Sequence, residues 1–120
     1  MEMSDLYQIS FLREEGGINH YKVLLNPGHE VFEGHFPGVP VMPGVCMLQL
    51  VKDCVADKLG ETVRFSYLKS CKFVSVVNPQ QHRELEVSFT LSDDKGLQAT
   101  VSANETVALK LKGKVSRIEN

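Results

Sequence analysis

Residues 45–51 read VCMLQLV, and wound into a helix this run is apolar on nearly every side. A helix of that kind is wrapped by protein rather than laid on a surface, so the rest of the chain has to supply the wrapper. The helical pattern starts at Pro43, carries Val45, Met47, Leu48, Val51, Val55 and Leu59, and meets Gly60, which is suited to the left-handed position that ends helices. The remainder reads as strands. YQISFLR (7–13) and INHYKVLL (18–25) alternate in polarity and flank EEGG, a tight-turn signal, which predicts a hairpin. Three more strand segments follow the helix: 63–77, expected to be bent; 83–92; and 96–118, too long for one ordinary strand and expected to break near Ala103 and Asn104. DDKG at 93–96 closes a hairpin, and NPQQH at 78–82 makes a wider connection. This order predicts an α+β fold in which a curved antiparallel sheet wraps around one central helix.

A chain of 120 residues, 42% apolar and without tryptophan, is long enough for one core and too short for two, so 1–120 is expected to be a single domain. Thirteen Lys and Arg against fifteen Asp and Glu leave a net charge of −2, and nothing in that balance calls for nucleic acid. No stretch reaches the roughly 18 apolar residues of a membrane span, and MEMSDLYQIS has neither a basic flank nor an apolar leader core. A soluble cytoplasmic protein is expected. Cys46, Cys54 and Cys71 are odd in number and lack metal-ligand spacing, so they are read as free thiols, with no metal implied.

The segment EGHFPGVPVMPG, residues 33–44, gathers three of the nine glycines and three of the five prolines around His35. Pro37, Pro40 and Pro43 hold φ near −65° and exclude a regular ladder, so the loop is irregular and stiff together. Pro43 fits the first helical position, and no Ser, Thr, Asp or Asn immediately before it supplies a cap. The N–H groups of the first turn are therefore left for something else. A carbonyl gaining negative charge suits those donors and the positive end of the helix dipole, which also disfavours imidazolium and keeps His35 neutral as a base. His20, His29 and His82 lack such a setting and read as ordinary polar residues. Cys46 sits where a thiolate would be favoured, but its apolar neighbours fit a packed side chain.

Written as GHFPGxPVxPGVxxLQ, the loop resembles the signature of the β-hydroxyacyl-acyl carrier protein dehydratases, which have the hot dog fold. KFVSVVNPQQ (72–81) is similar to the family's pattern on the strand after the helix, and together these cover about residues 30–92. The chain looks more like the short dehydratase-like proteins of secondary acyl pathways, such as those making aryl polyene or flexirubin pigments, than like members with an N-terminal helical segment. The resemblance implies that His35 takes a proton from C2 of a (3R)-3-hydroxyacyl thioester while water leaves from C3. It implies that the N–H of Gly44 binds the thioester carbonyl, and that Phe36, Pro37, Gly38, Val45 and Leu48 contact substrate. Met42 and Met47 are assigned to the core or to the acyl tunnel. No organic cofactor is implied.

One position departs from that family. A Glu or Asp is expected fourteen residues beyond the histidine, and Gln49 stands there. An amide holds water or a hydroxyl by hydrogen bonding but has no carboxylic proton to give. Asp53, one turn further and roughly 6 Å along the axis, is one substitute, and water ordered by Gln49 is another. A non-catalytic acyl-thioester binder, a partner subunit for an active homologue, or a thioesterase stand as alternatives to a dehydratase. The resemblance further implies an acyl carrier protein bearing a phosphopantetheine-linked substrate as partner, and a homodimer or an oligomer of dimers. Carrier proteins are acidic, so Arg64, Lys69, Lys72, Lys110, Lys112 and Lys114 are candidates for docking, or simply for blunting a solvent-facing strand.

Overall fold

The computed structural model describes residues 5–32 and 40–118. Strands β1 (Tyr7–Glu15) and β2 (Ile18–Leu25) form the first hairpin, and a short 3-10 turn (Glu30–Phe32) follows. Helix α1 (Gly44–Leu59) comes next, then β3 (Val63–Phe73), β4 (Glu84–Leu91), β5 (Gly96–Ala103) and β6 (Thr106–Arg117). The strands make one antiparallel sheet in the order β1-β2-β4-β5-β6-β3. The helix thus enters from the strand near one edge and leaves into the strand at the other.

The turns fall where the sequence puts them. Gly16 and Gly17 take positive φ between β1 and β2, and Asn104 and Glu105 do so between β5 and β6, at the break expected in the long C-terminal segment. At 93–96 the amide of Ser92 donates to the Gly96 carbonyl at 2.9 Å and that of Lys95 to the Ser92 carbonyl at 3.0 Å. The bend expected in 63–77 is built from two irregularities in the pairing of β3 with β6, between Phe65 and Tyr67 and between Leu68 and Ser70. Bulges of this kind bend a strand and re-aim its side chains. After Phe73 the chain leaves the ladder, and the Met42 amide donates to the Val77 carbonyl at 2.8 Å. That bond ties the approach to the helix onto the exit from β3.

Alternation decides the core. Tyr21, Val23 and Leu25 on β2, Leu85, Val87 and Phe89 on β4, and Leu97, Ala99 and Val101 on β5 are buried on one sheet face. From the helix, Cys46, Met47, Leu50, Val51, Cys54 and Val55 are buried with them. Full burial of a side chain of the Leu or Phe class contributes roughly 1.5–3 kcal/mol, so this shared face is the main source of stability.

The helix is wrapped less completely than its composition suggests. Its buried positions recur at 46, 47, 50, 51, 54 and 55, a single stripe, whereas Val45 is 72% exposed. The physical reason is geometric: one sheet covers one side of a cylinder. The first helical position also differs from expectation. Pro43 has φ −63° and ψ 146°, an extended conformation, so it is the residue preceding the helix and Gly44 is the first helical one.

Candidate active site

Pro43 offers no side-chain cap, and its carbonyl receives the amides of Cys46 at 3.0 Å and Met47 at 3.2 Å. Among the described residues the N–H groups of Gly44 and Val45 have no acceptor. Unpaired first-turn donors and the positive end of the helix dipole make this a place where an oxygen gaining negative charge is stabilised. Phe73, at the end of β3, lies against Gly44: a Cβ built there would come within 2.9 Å of its Cζ. Val45 and Phe73, which flank Gly44, are more than half exposed, as are Val74 and Val76 further along the chain.

One turn along, Gln49 is half-buried and its Nε2 donates to Asp53 Oδ1 at 2.9 Å. A carboxylate accepts only, so the amide end facing Asp53 has to be the NH2, and the carbonyl Oε1 of Gln49 is turned away from it. The second Asp53 oxygen accepts from the Tyr7 hydroxyl on β1. Burial, followed by this hydrogen bond and the charge of Asp53, pushes the Tyr7 phenol far above its usual range and keeps it a donor. Both Asp53 oxygens are thus engaged as acceptors, one from the helix and one from the edge strand. Asp53 is neither a solvated surface carboxylate nor a group turned freely toward a substrate.

Of the other residues singled out in the sequence, Leu48 is half-buried against the core and Met42 and Met47 are buried in it. His35, Phe36, Pro37 and Gly38 lie outside the described residues. His29 is buried, and its Nδ1 accepts from the Val31 amide at 2.9 Å, fixing the 3-10 turn. His20 faces Glu86 at 3.2 Å on the sheet. Cys46 is fully buried and burial pushes its thiol up, the opposite of what a nucleophile needs. No group of His, Cys, Asp and Glu side chains able to hold a metal ion occurs among the described residues. Tyr7 is the participant that sequence reading missed. It stands 46 residues from Asp53, and no local signal links the two.

A family model described as ApeI-like, ApeI dehydratase, matches residues 13–113. A protein of Latilactobacillus sakei named 3-hydroxyacyl-[acyl-carrier-protein] dehydratase FabZ is 36% identical over a match covering 72% of this chain and 66% of the relative. Its namesake in Levilactobacillus brevis is 31% identical, with 75% of this chain and 80% of the relative covered. In other curated relatives of the same name the chain spans about half of their length, 47% in Ligilactobacillus salivarius. Among solved structures, the dehydratase heterocomplex ApeI:P from Xenorhabdus doucetiae superposes with a TM-score of 0.73 at 22% identity, covering 92% of this chain and 99% of that one. The dehydratase domain from the CurK module of the curacin polyketide synthase gives a TM-score of 0.61 at 13% identity, covering 97% of this chain and 44% of that one. The six-stranded antiparallel sheet with one helix is the fold these dehydratases share.

Proposed function

The chain belongs to the ApeI-like dehydratase family, and from that membership we propose that it converts a (3R)-3-hydroxyacyl-acyl carrier protein to the trans-2-enoyl thioester, with residues 1–120 acting as one hot dog domain. The observation that carries the reading is that, among the described residues, the amide donors of Gly44 and Val45 have no acceptor and, one helical turn on, the carbonyl oxygen of Gln49 has no donor. In this reading the thioester carbonyl accepts from the Gly44 amide. His35 removes the C2 proton, and negative charge gathers on the carbonyl oxygen, where the helix dipole stabilises it. The C3–O bond then breaks. Gln49 has no proton of its own to give, so its Oε1 holds a water that passes the proton from the His35 imidazolium to the departing hydroxyl, and a second water leaves. The imidazole is regenerated neutral.

Phe36, Pro37, Gly38, Val45 and Leu48 are assigned to substrate contact. A second copy of the chain is assigned to the exposed apolar side chains of Val45, Phe73, Val74 and Val76, because exposed apolar area favours a protein partner. No described helix is long and apolar enough to cross a membrane.

Purified protein mixed with a 3-hydroxyacyl carrier protein tests the reaction by enoyl formation. His35→Ala is expected to lower turnover about a hundred- to ten-thousandfold, as loss of a general base does, and unchanged turnover removes His35 from the mechanism. Gln49→Glu is expected to raise the rate, and no gain counts against the role given to position 49. Release of free acid instead of enoyl product would identify a thioesterase. Turnover that arises only after a second, different subunit is added would identify a partner subunit.

A further inference from the structure

Helix α1 carries two aspartates one turn apart, and each is held by a tyrosine of the first hairpin. Tyr7 on β1 donates to Asp53, and Tyr21 on β2 donates to Asp57 at 2.6 Å. As fastenings between hairpin and helix the two pairs are equivalent. They differ in their setting and in what the second carboxylate oxygen does. Asp57 is exposed and has no further side-chain donor among the described residues, whereas Asp53 is half-buried and accepts the Gln49 amide at 2.9 Å. Val45, Gln49 and Asp53 follow one another at four-residue intervals, so this bond runs along a helix row that starts in the first turn.

No cation neutralises Asp53 among the described residues, although Lys52 and Lys58 lie on the same helix. Tyr7, Gln49 and Asp53 are all half-buried, which limits the access of water to their contacts. A carboxylate without a counter-ion in such a place dictates the direction of the amide beside it, because only the NH2 can face it. The Tyr7 hydroxyl, the Asp53 carboxylate and the Gln49 amide thus form a chain, and hydrogen bonds in a chain polarise one another. Its free end is Gln49 Oε1. A water that donates to a carbonyl becomes a better proton acceptor, while one that accepts from an NH2 becomes a poorer one, so the direction of the amide matters to any water bound there.

We propose that Asp53, held by Tyr7, is a positioning residue that sets the direction of the Gln49 amide and so presents an acceptor, not a donor, to the proton-carrying water. This assignment rests on the dehydratase reading above. Asp53 touches neither substrate nor water in this role. The proton returning from the His35 imidazolium needs a lone pair of the water, and the departing hydroxyl needs one of its hydrogens. A water whose other hydrogen is held by Oε1 offers both. An amide turned the other way would occupy a lone pair with its NH2 and leave a hydrogen unheld. The same carboxylate accounts for the amide at 49, since a second carboxylate would meet like charge there, whereas an amide is bound.

A double-mutant cycle over positions 49 and 53 separates positioning from simple tethering. Asparagine keeps the shape of Asp53 but can face Gln49 with its oxygen or with its NH2, so Asp53→Asn removes the fixed direction of the amide without removing the bond. This variant is expected to lower kcat on a 3-hydroxyacyl pantetheine thioester about tenfold, with KM and melting temperature little changed. Adding Gln49→Glu gives the asparagine NH2 a carboxyl oxygen to bind and restores an outward acceptor. It is expected to speed the Asp53→Asn variant by a factor roughly ten times larger than its gain in the parent protein. Equal factors in the two backgrounds overturn the proposal, as does an unchanged kcat in Asp53→Asn. A second measurement needs no turnover. In side-chain amide NMR spectra the Gln49 NH2 signal is expected away from the position of a solvated amide and to return to it in Asp53→Ala; a signal that stays in place overturns the proposal. If the parent protein converts no 3-hydroxyacyl thioester, the dehydratase reading is refuted, and the NMR signal still decides whether Asp53 holds the amide.

Discussion

The two ends of α1 are built to different ends. At the C-terminus every local device is in place: Gly60 adopts φ 70°, its amide donates to the Ala56 carbonyl at 2.8 Å, and the Glu61 amide joins it at 3.2 Å. Lys58 in the last turn pairs with Glu14 at 3.2 Å, and the Tyr21 hydroxyl donates to Asp57 at 2.6 Å. At the N-terminus the cap is missing, the first side chain beyond Gly44 is exposed, and an aromatic ring takes the place of a Cβ. A last-turn carbonyl satisfied at one end stabilises the fold, whereas at the other the Gly44 and Val45 amides have no acceptor among the described residues.

The sharpest way to break this contrast is a pair of glycine substitutions. Gly44→Ala has an ordinary helical backbone to occupy but has to displace Phe73, and it is expected to cost about a hundredfold in turnover with little change in melting temperature. Gly60→Ala places a side chain at positive φ and is expected to cost about 1 kcal/mol in stability without touching turnover. Enoyl formation and thermal melts on both variants check the pair, and matching profiles would erase the distinction.

The two tyrosines sharpen it further. Tyr7→Phe takes a donor from half-buried Asp53 and loosens the tether on Gln49, so turnover is expected to fall roughly tenfold along with about 1 kcal/mol of stability. Tyr21→Phe at the other end is expected to lower stability by a similar amount and leave turnover alone. Equal effects on turnover would deny Tyr7 its positioning role.

The smallest expected effect is a slope with pH, carried by the closed part of the helix. Burial, helped by the charges of Asp53 and Asp57, pushes the Cys54 thiol up to about 12 from an ordinary 9.0. The folded chain therefore holds a proton that the unfolded chain loses. Its contribution is complete below pH 9 and declines as pH rises toward 12, so melting temperature should fall across that window. Cys54→Ala should flatten the fall, while an unchanged slope would assign it elsewhere.

Local rules made most of the fold legible. The helix and its end at Gly60, the paired glycines after β1 and the break at Asn104 each follow from residues within a few positions of one another. What escaped depends on distance in the chain. The bond from Tyr7 to Asp53 and the irregularities in β3 exist only once strands far apart are in register. The 3-10 turn at Glu30–Phe32 is too short to leave a periodic trace. Exposure of Val45 was hidden for another reason: apolar composition reports what a surface prefers, not how much of it one sheet can reach. The motif around His35 pointed by resemblance to a chemistry and to Gly44, while Gln49 is the position that departs from the family's pattern.

Gly113 sits on β6 opposite Leu68, where a methyl group would land 2.1 Å from the Tyr67 carbonyl oxygen. In a saturation library scored for growth or solubility, that codon should therefore behave as a near-silent column in which no replacement survives. A search for variants with new acyl preferences gains nothing by sampling it, and a recombination crossover that imports a foreign β3 has to bring its matching β6 along.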